Sequence, residues 1–210
     1  MAILKRRHSS ANRLLLCEGH RGAAVAFVLR SALMLALALA LSLVLSSSAM
    51  AQRGAELNRL KAAFIFQFTN FVEWPEGTFE DNSSPFVIGV VGNDTVKDII
   101  ESAVRRKLIA GRKVSVRSFS GASDMSSCQI IFVDKSEGRS TLDIVDRYMD
   151  EPILTISDSD RFTKLGGIIR LYQEASKLRI EINIDAAERA KLKISSKLLS
   201  LGRVVHDNDS

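Results

Sequence analysis

The sequence is poor in the residues that carry most enzyme chemistry. Among its 210 residues are three histidines and two cysteines. His8, Cys17 and His20 all lie ahead of residue 52, and the next histidine is His206. Between those limits Cys128 is the one residue of either kind. A Ser-His or Cys-His apparatus needs an imidazole to take up and return a proton, and that stretch offers none. Zinc sites built on histidine and cysteine are excluded on the same ground. There is no G-x-S-x-G, no Walker loop and no G-x-G-x-x-G. Internal repeats and low-complexity tracts are also missing after residue 51.

What is present begins with an export leader. Lys5, Arg6, Arg7, Arg13, Arg21 and Arg30 face a single opposing charge, Glu18. An apolar run from Ala32 to Leu45 follows, then Ser46-Ser47-Ser48-Ala49-Met50-Ala51. Basic region, apolar region and small-residue A-x-A site come in the order of a secretory signal. The run is shorter than the roughly twenty residues a membrane-crossing helix needs, so a permanent anchor is not expected. No cysteine follows it to carry a lipid. The leader exceeds the usual length of about fifteen to thirty residues, which leaves open a start downstream of Met1. The expected organisation is a cleavable signal peptide over 1–51, a single domain over 52–205 and a disordered tail over 206–210.

Cleavage near Ala51 changes the charge argument. The whole chain carries 29 Lys+Arg against 24 Asp+Glu. Six of those bases and one of those acids leave with the leader, and the rest balances to zero. The basic pI, which would otherwise suggest nucleic acid or anionic lipid, belongs to the leader, so no nucleic-acid partner and no stable membrane anchor are expected.

The remaining 159 or so residues suit one domain with one core. Leu57, Leu60, Phe64, Phe68 and Phe71 recur at spacings of three and four, a helical stripe ending at Glu73-Trp74-Pro75. Phe86 to Val91 is an unalternating apolar run of the kind found in strands covered on both faces. Gly92-Asn93-Asp94 opens a helix through Lys107, and strands are expected at 111–117 and 129–133. A helix over 137–149 and a strand at 153–156 continue the alternation, which gives an α/β fold. Residues 166–172 and 178–184 read as a β-hairpin, the second strand placing Arg179, Glu181 and Asn183 on a polar face toward water or a partner. Asp185-Ala186-Ala187-Glu188 reads as a capping box, and a terminal helix from Ser195 puts Ile194, Leu198, Leu201 and Val205 on one stripe. The fold expected is a single α/β domain, its mostly parallel or mixed sheet flanked by helices, with a C-terminal β-hairpin and terminal helix.

Several residues admit two readings. Gly92-Asn93-Asp94, between strand and helix, suits either an anion on backbone N–H groups or an ordinary cap. Ser157-Asp158-Ser159-Asp160 suits a calcium loop or a helix start, and it lacks the later glycine and glutamate of an EF-hand. Phe66 projects off the apolar stripe toward core or partner. Trp74 is either an interface anchor or the plug at a helix end. Cys128 is a buried inert thiol or a bridge between two chains.

Two segments, Lys61-Ala62-Ala63-Phe64-Ile65-Phe66-Gln67-Phe68-Thr69-Asn70-Phe71-Val72-Glu73-Trp74-Pro75 and Ile180-Glu181-Ile182-Asn183 through Ile194-Ser195-Ser196-Lys197-Leu198-Leu199, resemble the YfiR-type family of small periplasmic proteins. The Gly166-Gly167 pair ahead of a strand and Cys128 opening another fit as well. The resemblance implies a non-enzymatic periplasmic regulator, without catalytic residue, metal or cofactor. It implies binding to the periplasmic part of an inner-membrane diguanylate cyclase, lowered cyclic-di-GMP, effects on biofilm, and release by an outer-membrane lipoprotein. A homodimer is expected. Relatives carry disulfides that lone Cys128 cannot make, and Lys191 stands where the family is expected to have glycine. The alternative is a periplasmic small-molecule-binding sensor module, its ligand near Gly92 or on the face of Arg179, Glu181 and Asn183. An enzyme working with carboxylates alone lacks a convincing pair. Partner or ligand contacts are expected at Phe66, Trp74, Arg179, Glu181 and Asn183.

Overall fold

The computed structural model describes residues 30, 32–37, 52–121, 123–175 and 177–207. Met1–Arg53 and Gly54–Ser210 form separate compact units. In the first, residues 32–37 are helical and exposed. The rest of the expected leader, including the cleavage site at Ala51, lies outside the described residues. Among the described residues no helix is long and apolar enough to cross a membrane.

Helix α1 (52–68), all but its first two residues in the second unit, leads into a two-residue strand β1 (Val72–Glu73). Then come β2 (Phe86–Val91), α2 (Asp94–Val104), β3 (Leu108–Ile109), β4 (Arg112–Phe119), β5 (Ile130–Val133), α3 (Gly138–Tyr148) and β6 (Leu154–Ser157). The hairpin strands β7 (Ile169–Glu174) and β8 (Lys177–Asn183) follow, then α4 (Ile184–Arg189), β9 (Lys193–Ile194), α5 (Ser196–Leu199) and β10 (Arg203–Val205). Single turns of 3-10 helix occupy Lys135–Glu137 and Phe162–Leu165.

The main sheet has eight strands in the order β10-β8-β7-β6-β5-β2-β4-β3. Its middle is parallel, with β4, β5, β6 and β7 built out from β2 in both directions. That is the doubly wound pattern: the chain moves to one side of its first strand, then crosses back to the other. β8 returns antiparallel to β7, and β3 antiparallel to β4. β1 pairs with β9 in a small separate ladder, Val72 opposite Ile194.

Every residue of β2, β5 and β6 is buried. The unalternating sequences of β2 and β5 require this of strands with helices on both faces, whereas β6 alternates and buries Thr155 and Ser157 in hydrogen bonds to Ile168 and Val133. Phe86, Ile88, Val90, Ile130, Phe132, Leu154 and Ile156 pack with α1, α2 and α4. Val87, Val91, Ile131 and Val133 pack on the opposite face with Ile144 and Tyr148 of α3.

Three local departures from the sequence reading have clear causes. The buried stripe of α1 is Lys61, Ala62, Ile65, Phe68 and Thr69, running on to Val72; Leu60 is exposed and Phe64 and Phe71 half-buried. The stripe is turned by about one residue because Lys61 goes inward. Helix α4 is capped by Asn183, whose side chain accepts from the Ala186 N–H, two residues ahead of the expected capping box. The terminal helix stops after Leu199, and the chain turns at Gly202 into β10, parallel to β8. A Cβ on Gly202 would come within 3.1 Å of the Ile180 carbonyl, so a side chain there would push the strand back by a few tenths of an ångström. Beyond it His206 Nδ1 and the Asp207 N–H meet the Asp185 carboxylate, where the sequence reading has the chain fraying.

Candidate functional site

Helix α1 runs antiparallel to the central strands, bringing Lys61 to their carboxyl ends. There Asp134 follows β5 and Asp158 follows β6. Lys61 Nζ lies 2.6 Å from Asp158 Oδ2 and 3.9 Å from Asp134 Oδ2, with all three side chains at most 10% exposed. A buried ammonium persists only when paired and hydrogen-bonded, and the surroundings supply that. Asp158 Oδ1 accepts the Lys135 N–H at 2.8 Å. Asp134 accepts the Asn93 amide at 2.7 Å and the Ser136 N–H at 3.0 Å. Burial alone would push the Asp134 carboxyl up, but Asn93, Ser136 and the Lys61 ammonium outweigh it and hold it below the usual carboxylate range.

Above this triad opens a cleft of about 730 Å³, walled by Leu57 and Lys61 of α1 on one side and Gly138 and Thr141 at the start of α3 on the other. Its far wall is Arg170, Leu171 and Tyr172 of β7 with Leu178 of β8. Arg170 donates to Asp160 at 2.7 Å and to the Ser159 carbonyl at 3.2 Å, and its guanidinium lies 5.0 Å from the Tyr172 ring centre. The cleft thus occupies the crevice at the carboxyl ends of the strands, the usual ligand position in this architecture. It is centred on β5 to β7 rather than at the β2–β5 switch point, because Glu137 fills the latter: a Cβ on Gly92 would meet Glu137 Cγ at 2.4 Å.

That arrangement decides two of the open readings. Asn93 caps α2 by accepting the Val96 N–H at 3.0 Å, and with Glu137 over Gly92 the place is closed to an anion. Asp158 is an ion-pair partner and Asp160 points outward at 93% exposure, bound to Arg170. The two do not converge as a calcium loop, and among the described residues no group of His, Cys, Asp and Glu side chains is placed to hold a metal.

The five expected contact residues are scattered. Phe66 is half-buried in a second groove of about 510 Å³ between α1 and α2, which Leu60, Phe64, Ile99 and Lys107 also line. The Lys107 ammonium sits 4.5 Å from its ring centre. Trp74 is a plug: its Nε1–H donates to the Gln129 carbonyl at 3.2 Å and its ring meets Phe86 edge-on at 5.0 Å. Arg179 is exposed and pairs with Glu174. Glu181 and Asn183, expected on an open polar face, are 2% and 0% exposed. Glu181 is held by Thr163, Arg203 and Arg170, and Asn183 by Thr163, Asp207 and α4. β10 covers that edge at Glu181 and Asn183, so these two are structural, while Arg179 lies beyond its cover.

Lys61, Asp134, Thr141 and Arg170 escaped the sequence reading, which has Asp158 as part of a calcium loop or helix start rather than as the partner of a lysine. Two signals were there: a lysine four residues after Leu57 and four before Ile65 within an apolar helix face, and an aspartate closing each of two strand runs. Cys128 is 1% exposed, and burial pushes its thiol up to about 11, which settles it as an inert core residue.

No curated protein matches the chain. Among the solved structures that are similar to it in part are two of low identity. One is a conserved domain protein from Vibrio cholerae O1 biovar El Tor str. N16961, at 13% identity and a TM-score of 0.41 over 59% of this chain. The other is an ABC domain in complex with L-Trp from Streptococcus pneumonia, at 13% identity and a TM-score of 0.40 over 57%. The chain spans about half the length of either, covering 55%. The YfiR/HmsC-like family model matches residues 58–203, from the first turns of α1 to the start of β10, and the chain belongs to that family.

Proposed function

We propose that the protein works in the periplasm, after removal of its leader, as a homodimeric repressor of a membrane signalling enzyme. It binds the periplasmic part of an inner-membrane diguanylate cyclase and holds it inactive, lowering cyclic-di-GMP and with it biofilm formation; an outer-membrane lipoprotein draws it away. The observation that carries this reading is the family match along nearly the whole domain, since the family is regulatory rather than catalytic. The chemistry agrees. Lys61 is an ion-paired ammonium, Cys128 is buried, and His206 hydrogen-bonds Asp185. The α1–α2 groove offers a partner an apolar face, with Leu60 42% exposed and Phe66 half-buried beside it.

The test is capture. Tagged protein lacking residues 1–51 should retain a membrane diguanylate cyclase from detergent-solubilised envelopes, and deletion of the gene should raise cyclic-di-GMP severalfold. Phe66→Asp should abolish capture while leaving the melting temperature within a few degrees. Unchanged cyclic-di-GMP together with no retained cyclase would end this reading.

A further inference from the structure

The regulatory reading makes no use of the cleft over β5, β6 and β7. Its charges are balanced: Lys61, Lys135 and Arg170 against Asp134, Asp158 and Asp160. Two pairs are already closed, Lys61 with Asp158 and Arg170 with Asp160. The Lys61–Asp158 pair is buried, and a charged ligand that broke it would leave its partner uncompensated, which costs far more than one neutral hydrogen bond returns. A molecule without formal charge suits the balanced lining and leaves both pairs closed. The cleft walls supply both donors and acceptors, and Thr141 adds a hydroxyl, 2% exposed, that finds no partner among the described residues. Buried polar atoms are rarely left so.

We propose that this cleft binds an uncharged polyhydroxylated molecule, a sugar or polyol of one or two rings. A hydroxyl both donates and accepts, so it can face Lys135 or Arg170 on one side and Asp134 or Asp160 on the other without disturbing either ion pair. The half-buried Tyr172 ring, with Leu57 and Leu178, gives the C–H face of a sugar an apolar surface. About 730 Å³ falls within the range of small-molecule sites, roughly 300–1,000 Å³. The proposal stands apart from cyclase repression, and either can fail alone.

The experiment is a thermal-shift titration of the protein lacking residues 1–51 with glucose, maltose and mannitol, and with sodium phosphate and glycine betaine as charged and zwitterionic probes. A neutral probe should raise the melting temperature saturably, by about 5 °C or more at a hundredfold excess over Kd. Leu57→Trp, which fills the cleft from α1, should abolish that shift, and Tyr172→Ala should weaken binding about tenfold. Should Leu57→Trp itself lower the unliganded melting temperature, Gln173→Trp on the exposed rim fills the same space. Three results would overturn the proposal: no saturable shift with any neutral probe, a shift equal in wild type and filled variant, or a response confined to phosphate or betaine. The second is the general osmolyte effect.

Discussion

Lys61 and Asp158 are 97 positions apart and form an ion pair of 2.6 Å with 5% and 7% of their side chains exposed. The pair ties α1 to the carboxyl end of β6. Removing one partner strands the other in a site that has excluded water. Lys61→Met leaves two buried carboxylates without their cation and should cost about 3–5 kcal/mol. Urea denaturation of Lys61→Met, Asp158→Asn and the double variant checks this. The double variant should lose clearly less than the sum of the singles, because it leaves no orphaned charge at that position.

Acid should weaken the protein partly through Asp134. Its native carboxyl titrates below the usual range, so the folded state binds that proton less readily than the unfolded chain. The stability it contributes is complete above the unfolded value of about 3.9 and is lost as pH falls through it toward the lower native value. Asp134→Asn should reduce stability at pH 7 and flatten the loss between pH 5 and 3, read as melting temperature against pH.

Lys191 adopts a left-handed backbone, φ +57°, in the turn after α4. A side chain there costs on the order of 1 kcal/mol that glycine avoids, offset in part by the freedom glycine gains when unfolded. Lys191→Gly should therefore raise the melting temperature by about 1–3 °C. Lysine stands where the family resemblance implies glycine, and the strain is the physical content of that departure.

Cys128 should resist modification. With its thiol raised from 9.0 to about 11, the thiolate fraction at pH 8 drops about a hundredfold, and burial denies reagents access. Ellman's reagent should leave the folded protein unlabelled over minutes and label it fully in guanidinium. Non-reducing gels after oxidation should show no disulfide dimer.

The strands β2 and β5 were legible because burial on both faces leaves a run of valine, isoleucine and phenylalanine, interrupted in β2 by Gly89 alone. The existence of α1 was equally plain, but not its orientation. Periodicity counts apolar residues, and Leu60 satisfies the count from an exposed position while Lys61 goes inward to carboxylates more than seventy positions away. The edge at β10 was hidden for a related reason. Leu198, Leu201 and Val205 keep helical spacing, and nothing local says that Gly202 will approach the Ile180 carbonyl. The same strand turned Glu181 and Asn183 of β8 from expected contact residues into sealed ones.

The eight-stranded sheet ends in very short ladders on both sides, two residues of β3 at one margin and three of β10 at the other. β3 covers only Arg112 and Lys113 of β4, so the outer edge from Val114 to Phe119 has no strand partner among the described residues, and β10 covers β8 only from Glu181 to Asn183. Six consecutive residues are an ordinary strand length. The β4 margin is therefore where a foreign chain can join the sheet by strand addition.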